Sequence, residues 1–206
     1  MINTRGEEIM KHQLKRIFEE NLQKSKLIAA IKEPKSIEKA IKYKENLAAT
    51  ILMTGNILNV KNYVEVLQKE KLPVILHVEK IDGLYMDHYG IDFIIDHVQP
   101  FAIVTTKSSI INKAKSKGIF VIQRIFLIDT EVYDHLLVSV DHIQPDIIEV
   151  MPSRAPDYLA KLSKASPVPI ITGGLLTTPS HANEALEHGA IAVTTSNTKL
   201  WKLGLD

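Results

Sequence analysis

The sequence predicts an α/β protein: a single compact TIM-like (β/α)8 barrel preceded by an N-terminal amphipathic helix. Two observations support this prediction, namely eight short runs rich in Val and Ile, and a helical stretch between each run and the next. Parallel neighbouring strands need a crossover connection, which such helices supply. An open doubly wound sheet is the alternative, although no Gly-x-Gly-x-x-Gly motif follows the first strand to favour its dinucleotide-binding form.

The N-terminal segment, residues 1–25, is predicted to be an amphipathic helical extension, and residues 26–206 are predicted to form the barrel domain. Apolar side chains recur in the segment at helical spacing among charged residues: Met10, Leu14, Ile17, Phe18 and Leu22. This apolar face predicts packing either on the barrel or on a second subunit.

Eight strands follow from the β-branched runs. They are Leu27–Ile31, Ala48–Met53, Val74–Val78, Ala102–Thr105, Phe120–Gln123, Ile147–Val150, Val168–Thr172 and Ala190–Thr194. About 180 residues for eight units is compact beside the roughly 250 residues of a typical barrel of this kind. At least one helix is therefore expected to be short or missing.

Helices are predicted between the strands from apolar stripes and terminal residues. They are Ser36–Tyr43, Val60–Lys69, Gly90–Val98, Ser109–Lys117, Glu131–Ile143, Pro156–Ser163 and Pro179–His188. Gly118 marks one helix end, and Thr178 with Pro179 marks one helix start. A last helix is expected to begin at Ser196-Asn197 and to contain Trp201, which we expect to close the bottom of the barrel.

The composition excludes several classes of protein. The 206 residues include 25 basic and 24 acidic side chains and no cysteine, which rules out disulfides, thiolate metal sites and a cysteine nucleophile and favours a cytoplasmic protein. The sequence contains no apolar run of about 18 residues, the length that would predict a membrane span. Residues 1–46 carry 11 basic and 7 acidic side chains, whereas the rest carries 14 and 17. That basic front indicates either a nucleic-acid contact or a solvated helix face.

The ends of the last two strands predict a phosphate site. In these barrels the residues just past the carboxyl ends of the strands form the site, and phosphate often binds after strands seven and eight. Gly173 and Gly174 would let backbone N–H groups approach an anion, with Thr195 and Ser196 beside them. The alternative is a tight turn in which only glycine fits.

Three charged residues at other strand ends are candidate ligand contacts. Lys107 could bind an anion or, if desolvated, act as a Schiff-base nucleophile, and solvated lysine is the alternative. Arg124 could bind a phosphate or form a salt bridge within the rim. Strand alternation turns Glu149 inward, where it could bind hydroxyl groups, act as a base, or pair with Lys107 or Arg124.

The end of the third strand adds His77, Glu79 and Asp82. His77 and Glu79 share a strand face and could bind hydroxyl groups, ligate a metal with Asp82, or form a structural network. No second histidine stands nearby at a ligand spacing. We therefore predict no metal site here.

Several motifs stand at the strand ends. They are Leu52-Met53-Thr54-Gly55, His77-Val78-Glu79-Lys80-Ile81-Asp82-Gly83-Leu84, Thr105-Thr106-Lys107-Ser108-Ser109, Gln123-Arg124-Ile125-Phe126-Leu127-Ile128-Asp129, Ile148-Glu149-Val150-Met151-Pro152, Gly173-Gly174-Leu175, Thr194-Thr195-Ser196-Asn197 and Leu200-Trp201. Together they resemble the glycerol-3-phosphate responsive antiterminator family, which regulates bacterial glycerol uptake operons, and the resemblance covers about residues 27–203 in unbroken order. The family usually carries Asp at the positions of Asn56 and Glu79.

The resemblance implies a sensor on a barrel that has kept a phosphate site. Such a protein binds glycerol-3-phosphate as its effector and then leader mRNA, and so prevents early termination of transcripts for glycerol use. It implies no catalytic residue and no cofactor, and a homo-oligomer is compatible with it. The implied site residues are Gly173, Gly174 and Ser196 for the phosphate, Lys107 and Arg124 as supporting cations, and Glu79, Asp82 and Glu149 for the glycerol hydroxyls.

An enzyme acting on a glycerol-phosphate or sugar-phosphate substrate is the alternative function. A prenyl transferase or an aldolase-like lyase would use Glu149 as base or Lys107 as nucleophile, and most phosphate-site barrels are enzymes. The RNA-binding part of the first hypothesis rests on the resemblance alone. Lys113, Lys115, Lys117 and the basic front are its candidate RNA contacts.

Overall fold

The protein is a closed barrel of eight parallel strands, seen in a computed structural model that describes residues 4–139 and 145–205. The strands are β1 (Leu27–Ile31), β2 (Ala49–Leu52), β3 (Val74–His77), β4 (Ala102–Thr105), β5 (Phe120–Phe126), β6 (Ile147–Met151), β7 (Ile170–Gly173) and β8 (Ala192–Thr195). They pair in chain order, and β8 pairs with β1. The predicted barrel is thus confirmed, and the open sheet is wrong.

Helices surround the strands of the barrel in the predicted alternation. They are α1 (Thr4–Lys24), α2 (Ser36–Lys42), α3 (Val60–Lys69), α4 (His88–Asp92), α5 (Ser108–Ser116), α6 (Thr130–Ser139), α7 (Pro156–Ala165), α8 (Pro179–Glu187) and α9 (Thr198–Leu203). The expected short helices are α2, with seven residues, and α4, with five. The last four residues of the predicted helix Glu131–Ile143 lie outside the described residues.

Local sequence explains where several of these helices begin and end. Thr178 caps α8 by accepting a hydrogen bond from the backbone N–H of His181, and Pro179 follows at the first helical position. Gly118 takes a left-handed φ of 73° just after α5. The predicted helix Gly90–Val98 contains two hydrogen-bonding patterns, because α4 continues as a π-helical segment over Phe93–Val98.

Strand alternation fills the barrel interior with apolar side chains. One buried cluster contains Ile28, Ala49, Ile51, Ile75, Ala102, Val104, Ile122, Ile147, Ile171 and Ala192. The opposite strand faces belong to a second cluster, shared with the helices. The polar exceptions to the apolar interior lie towards the carboxyl ends of the strands.

Helix α1 closes the amino-terminal end of the barrel. Its Leu14 and Phe18 are buried in the interior cluster. The ring of Phe18 lies 4.9 Å from that of Phe101, just before β4, and 6.3 Å from that of Phe120, at the start of β5. Of the two placements predicted for this helix, the structure shows packing on the barrel.

Trp201 does not close the bottom of the barrel, so that prediction is wrong. The side chain is fully buried in the cluster between strands and helices. Its Nε1–H donates a hydrogen bond of 2.9 Å to the carbonyl of Thr195 at the carboxyl end of β8. Trp201 therefore fixes α9 against the end of that strand.

Within the described residues, the helices include none with the length and apolar character needed to cross a lipid bilayer.

Candidate functional site

Polar side chains replace apolar ones in the last inward-facing layer of the barrel, at the carboxyl ends of the strands. His77, Arg124, Glu149 and Thr194 are all buried there, each two residues after an apolar inward residue of its strand. Among the described residues, Arg124 is the single buried lysine or arginine and Glu149 the single buried acidic residue. A buried charge is costly unless it is paired. The contacts of Arg124 and Glu149 therefore define the candidate site.

Arg124 and Glu149 form an ion pair across neighbouring strands. The register of β5 and β6 places the two residues directly opposite each other. Arg124 Nε donates a hydrogen bond of 2.7 Å to Glu149 Oε2, and Thr194 Oγ1 donates one of 2.7 Å to Glu149 Oε1. The sequence left the partner of Glu149 open, and the structure selects Arg124.

The outer end of the Arg124 guanidinium remains available to a ligand. Its two terminal nitrogens make no hydrogen bond with any residue that the structure describes. A cavity of about 450 Å³ lies beside Arg124 on the α6 side of β5. Its lining includes Thr106, Ser108, Gln123, Ile125, Asp129 and His135. This volume lies in the range of small-molecule sites.

Gly173 gives Thr194 room to reach Glu149. A Cβ atom on Gly173 would lie 2.0 Å from Thr194 Oγ1 and 2.8 Å from its carbonyl oxygen. Gly174 has a left-handed φ of 77°, and its carbonyl accepts a hydrogen bond of 2.6 Å from Ser153 Oγ. The two glycines therefore have a structural role at the end of β7.

A second polar group joins β3 to the end of β4. His77 Nδ1 lies 3.1 Å from Glu79 Oε2, and both atoms are buried without a hydrogen bond of good geometry. The other carboxylate oxygen of Glu79 accepts hydrogen bonds from Thr105 Oγ1 and from the backbone N–H of Thr106, the latter at 3.1 Å. Glu79 thereby ties the two connections together at the mouth.

The environment of Glu79 keeps its carboxyl group ionised. Burial by itself raises the pKa of Glu79, but the contact with His77 and the hydrogen bond from Thr105 outweigh burial and lower the pKa to about 2. The negative charge at the mouth is therefore present throughout the neutral range.

We expect Glu79→Gln to be less stable than the wild type at pH 7, and the difference in stability to shrink at low pH, because the variant lacks the carboxyl group whose pKa is depressed. Because the pKa of Glu79 falls from 4.5 to about 2 on folding, its ionised form stabilises the fold above pH 4.5 and the benefit disappears as the pH falls towards 2. After allowance for the solvent-exposed side of the carboxylate, the loss at pH 7 is about 1–2 kcal/mol. Urea unfolding of both proteins at pH 7 and pH 3 measures it.

At pH 3 more than half of the difference between wild type and Glu79→Gln should have vanished. The control is Glu65→Gln, which removes an exposed carboxylate paired with Lys61 on α3 and should change little at either pH. An equal loss for Glu79→Gln at both pH values would contradict the depressed pKa.

The structure places the other predicted site residues at the same rim but outside these two groups. Asp82, Lys107 and Ser196 are exposed, and Thr195 Oγ1 accepts a hydrogen bond of 3.1 Å from the backbone N–H of Asn197. The ammonium group of Lys107 therefore lacks the desolvated surroundings that activate a Schiff-base lysine. Among the described residues no group of three or more His, Asp or Glu side chains is arranged to hold a metal ion.

Sequence reasoning missed two hydroxyl groups at this rim, those of Thr105 and Thr194. Thr194 belongs to the inward face that begins at Ala192, so period-two alternation would have selected it in place of Thr195. Thr105 carries no such signal, because its contact with Glu79 depends on the path of the connection after β3.

The fold and the rim define the class: a (β/α)8 barrel with charged side chains at the carboxyl ends of its strands, where such barrels bind small molecules. The chain belongs to the glycerol-3-phosphate responsive antiterminator family, whose model matches residues 27–201. This confirms the resemblance seen in the strand-end motifs.

Two solved structures are similar to this chain and agree with the assignment. A glycerol uptake operon antiterminator regulatory protein from Listeria monocytogenes is 34% identical, with a TM-score of 0.80 over 85% of this chain and 94% of that one. A related protein from Thermotoga maritima is 26% identical, with a TM-score of 0.76 over 86% and 98%. The uncharacterized protein YgcP of Escherichia coli K12 is 28% identical over 88% of this chain and 94% of its own length.

Proposed function

We propose that this protein is a transcription antiterminator that binds glycerol-3-phosphate at the barrel mouth and, in that state, leader mRNA of glycerol-use genes. The observation that supports the effector site best is Arg124: Glu149 accepts the hydrogen bond from its Nε, Thr194 in turn holds Glu149, and a cavity lies beside the guanidinium. A guanidinium held in this way is suited to a phosphate group. An RNA role places the protein in the cytoplasm, with residues 1–25 as an extension of the barrel of residues 26–206.

The other rim residues complete the proposed effector site. The backbone around Gly173 and Gly174, with Thr195 and Ser196, would hold the phosphate, and Lys107 would add a second cation. His77, Glu79 and Asp82 would face the glycerol hydroxyls. The carboxylate of Glu79 stays ionised at neutral pH, and the hydrogen bonds that it accepts from Thr105 and Thr106 hold this part of the rim in place.

The proposal assigns no catalytic residue and no cofactor. Glu149 is fully buried and both of its oxygens already accept hydrogen bonds, which leaves no free base at that position. Lys107 is exposed. The two residues on which the alternative enzyme depends thus lack the environment that such chemistry requires.

Calorimetric titration with glycerol-3-phosphate, inorganic phosphate and glycerol tests the effector site. We expect glycerol-3-phosphate to bind more tightly than either fragment, because it contacts both halves of the site. Arg124→Lys keeps the charge but removes the planar set of donors, and should weaken binding about tenfold or more. The matched control is Arg16→Lys, which alters an exposed arginine of α1 at the opposite end of the barrel.

Binding of a terminator-containing leader transcript, measured by fluorescence anisotropy with and without glycerol-3-phosphate, tests the RNA role. We expect the effector to increase RNA affinity. RNA binding that ignores the effector, or no binding in either state, would overturn the proposal. Turnover of a glycerol-phosphate or sugar-phosphate substrate that Lys107→Ala abolishes would instead establish the enzyme.

A further inference from the structure

The exposed aromatic side chains of this protein lie at one end of the barrel. Among the described residues, the aromatic side chains that are more than half exposed are Tyr85 at 81%, Tyr89 at 72% and Phe126 at 51%. All three follow the carboxyl ends of strands, Tyr85 and Tyr89 after β3 and Phe126 at the end of β5. Exposed aromatic groups gathered in this way indicate a binding surface.

Tyr85 belongs to the connection that also carries the predicted effector contacts, and Tyr89 lies in the first turn of the helix that follows it, α4. Glu79 stands six residues before Tyr85 in the same β3–α4 connection, where it is hydrogen-bonded to Thr106 of the next connection. The ring of Tyr89 lies 3.9 Å from that of His88. A ligand that contacts Glu79 therefore acts directly on the segment that presents these rings.

The segment from Glu79 to Asp92 carries one lysine, Lys80, and four carboxylates. Glu79 accepts a hydrogen bond from Thr106 N–H and Asp92 pairs with Lys117, whereas Asp82 is exposed. Lys80 is exposed and forms no ion pair with any described residue. Asp87, the acidic residue between the two tyrosines, caps α4 by accepting a hydrogen bond of 2.9 Å from the backbone N–H of Gly90. Among the described residues of this segment, Lys80 and Asp82 are therefore the exposed charges without a partner, one of each sign, and Lys80 is the group that can meet a phosphate.

We propose that Tyr85 and Tyr89 form the surface on which unpaired bases of the RNA stack, with Lys80 beside the RNA backbone. The inference rests on the proposed function and adds the location of its RNA contact. Proteins recognise single-stranded RNA largely by stacking bases on exposed aromatic rings, next to a positive charge. Of the candidates from the sequence, Lys115 and Lys117 lie towards the opposite end of the barrel, where they line one cavity with His12 and Lys15 of α1. Lys32 and Lys35 of the basic front instead follow the carboxyl end of β1.

Anisotropy titrations of the leader transcript at saturating glycerol-3-phosphate, with single tyrosine variants, test this inference. We expect Tyr85→Ala and Tyr89→Ala each to weaken RNA binding about tenfold, the effect of losing one stacked base. Tyr85→Phe and Tyr89→Phe keep the ring and should bind nearly as wild type. The matched control is Tyr43→Ala, a partly exposed tyrosine that follows α2 at the amino-terminal end of the barrel.

Calorimetry with glycerol-3-phosphate should show unchanged effector binding in all of these variants. If both alanine variants bind RNA as tightly as the wild type, the stacking inference is wrong and the proposed function is unaffected. Equal losses of RNA affinity in Tyr43→Ala would also overturn it. If size-exclusion chromatography shows that the alanine variants change subunit assembly and not RNA affinity, the rim is a protein interface and the inference is wrong. Failure of the wild-type protein to bind the transcript would contradict the proposed function itself.

Discussion

Arg124→Met should lower the free energy of unfolding by about 3–5 kcal/mol at pH 7, because it leaves the Glu149 carboxylate buried without its charge partner. Glu149 is 0% exposed, and one of its two hydrogen bonds comes from Arg124 Nε. Methionine has nearly the length of the arginine stem, so lost packing contributes little. Urea unfolding followed by circular dichroism measures the change.

A double variant separates the charge from the packing. In Arg124→Met/Glu149→Gln no buried charge remains, and glutamine can still accept the hydrogen bond from Thr194 Oγ1. We expect most of the lost stability to return, since a buried pair replaced by neutral groups is often nearly neutral in stability. Arg16→Met on α1, exposed and paired with Glu20, should cost less than about 0.5 kcal/mol. A double variant no more stable than Arg124→Met would contradict this account.

The barrel could be predicted because its signals are local. Strands such as Ala102–Thr105 are short β-branched runs, and the start of α8 is given by Thr178 and Pro179. The position of the site follows from the same pattern, since polar groups after strand ends must meet at one rim. Each of these predictions depends only on residues that are neighbours along the chain.

The contacts within the rim could not be predicted, because they depend on how distant strands align. Glu149 pairs with Arg124 and not with Lys107 through the register of β5 and β6, which the barrel closure sets as a whole. Gly173 is needed because Thr194, 21 positions later, fills the space of its missing side chain. The error over Trp201 has the same cause: a large apolar residue in the sequence does not show which layer will bury it.

Phe18→Ala should cost about 3–5 kcal/mol of unfolding free energy, the usual loss for a buried phenylalanine. Phe18 is 3% exposed and belongs to the interior cluster together with Leu14. Its ring meets those of Phe101 and Phe120, and such pairs add to the stability gained from burial alone. Removing it opens the amino-terminal end of the barrel, where α1 seals the interior. The melting temperature should fall by roughly 2–4 °C for each kcal/mol lost.

The control for Phe18→Ala is the same substitution at the opposite end of the barrel. Phe126 is 51% exposed at the rim, so Phe126→Ala removes the same atoms with a cost expected to stay near 1 kcal/mol or less. Two equal, small losses would mean that α1 rests on the barrel without sealing it. A large loss for Phe18 alone would make α1 part of the folding unit, although the family match begins only at residue 27. Because α1 lies at the end away from the rim, glycerol-3-phosphate binding at a temperature where Phe18→Ala stays folded should equal that of wild type.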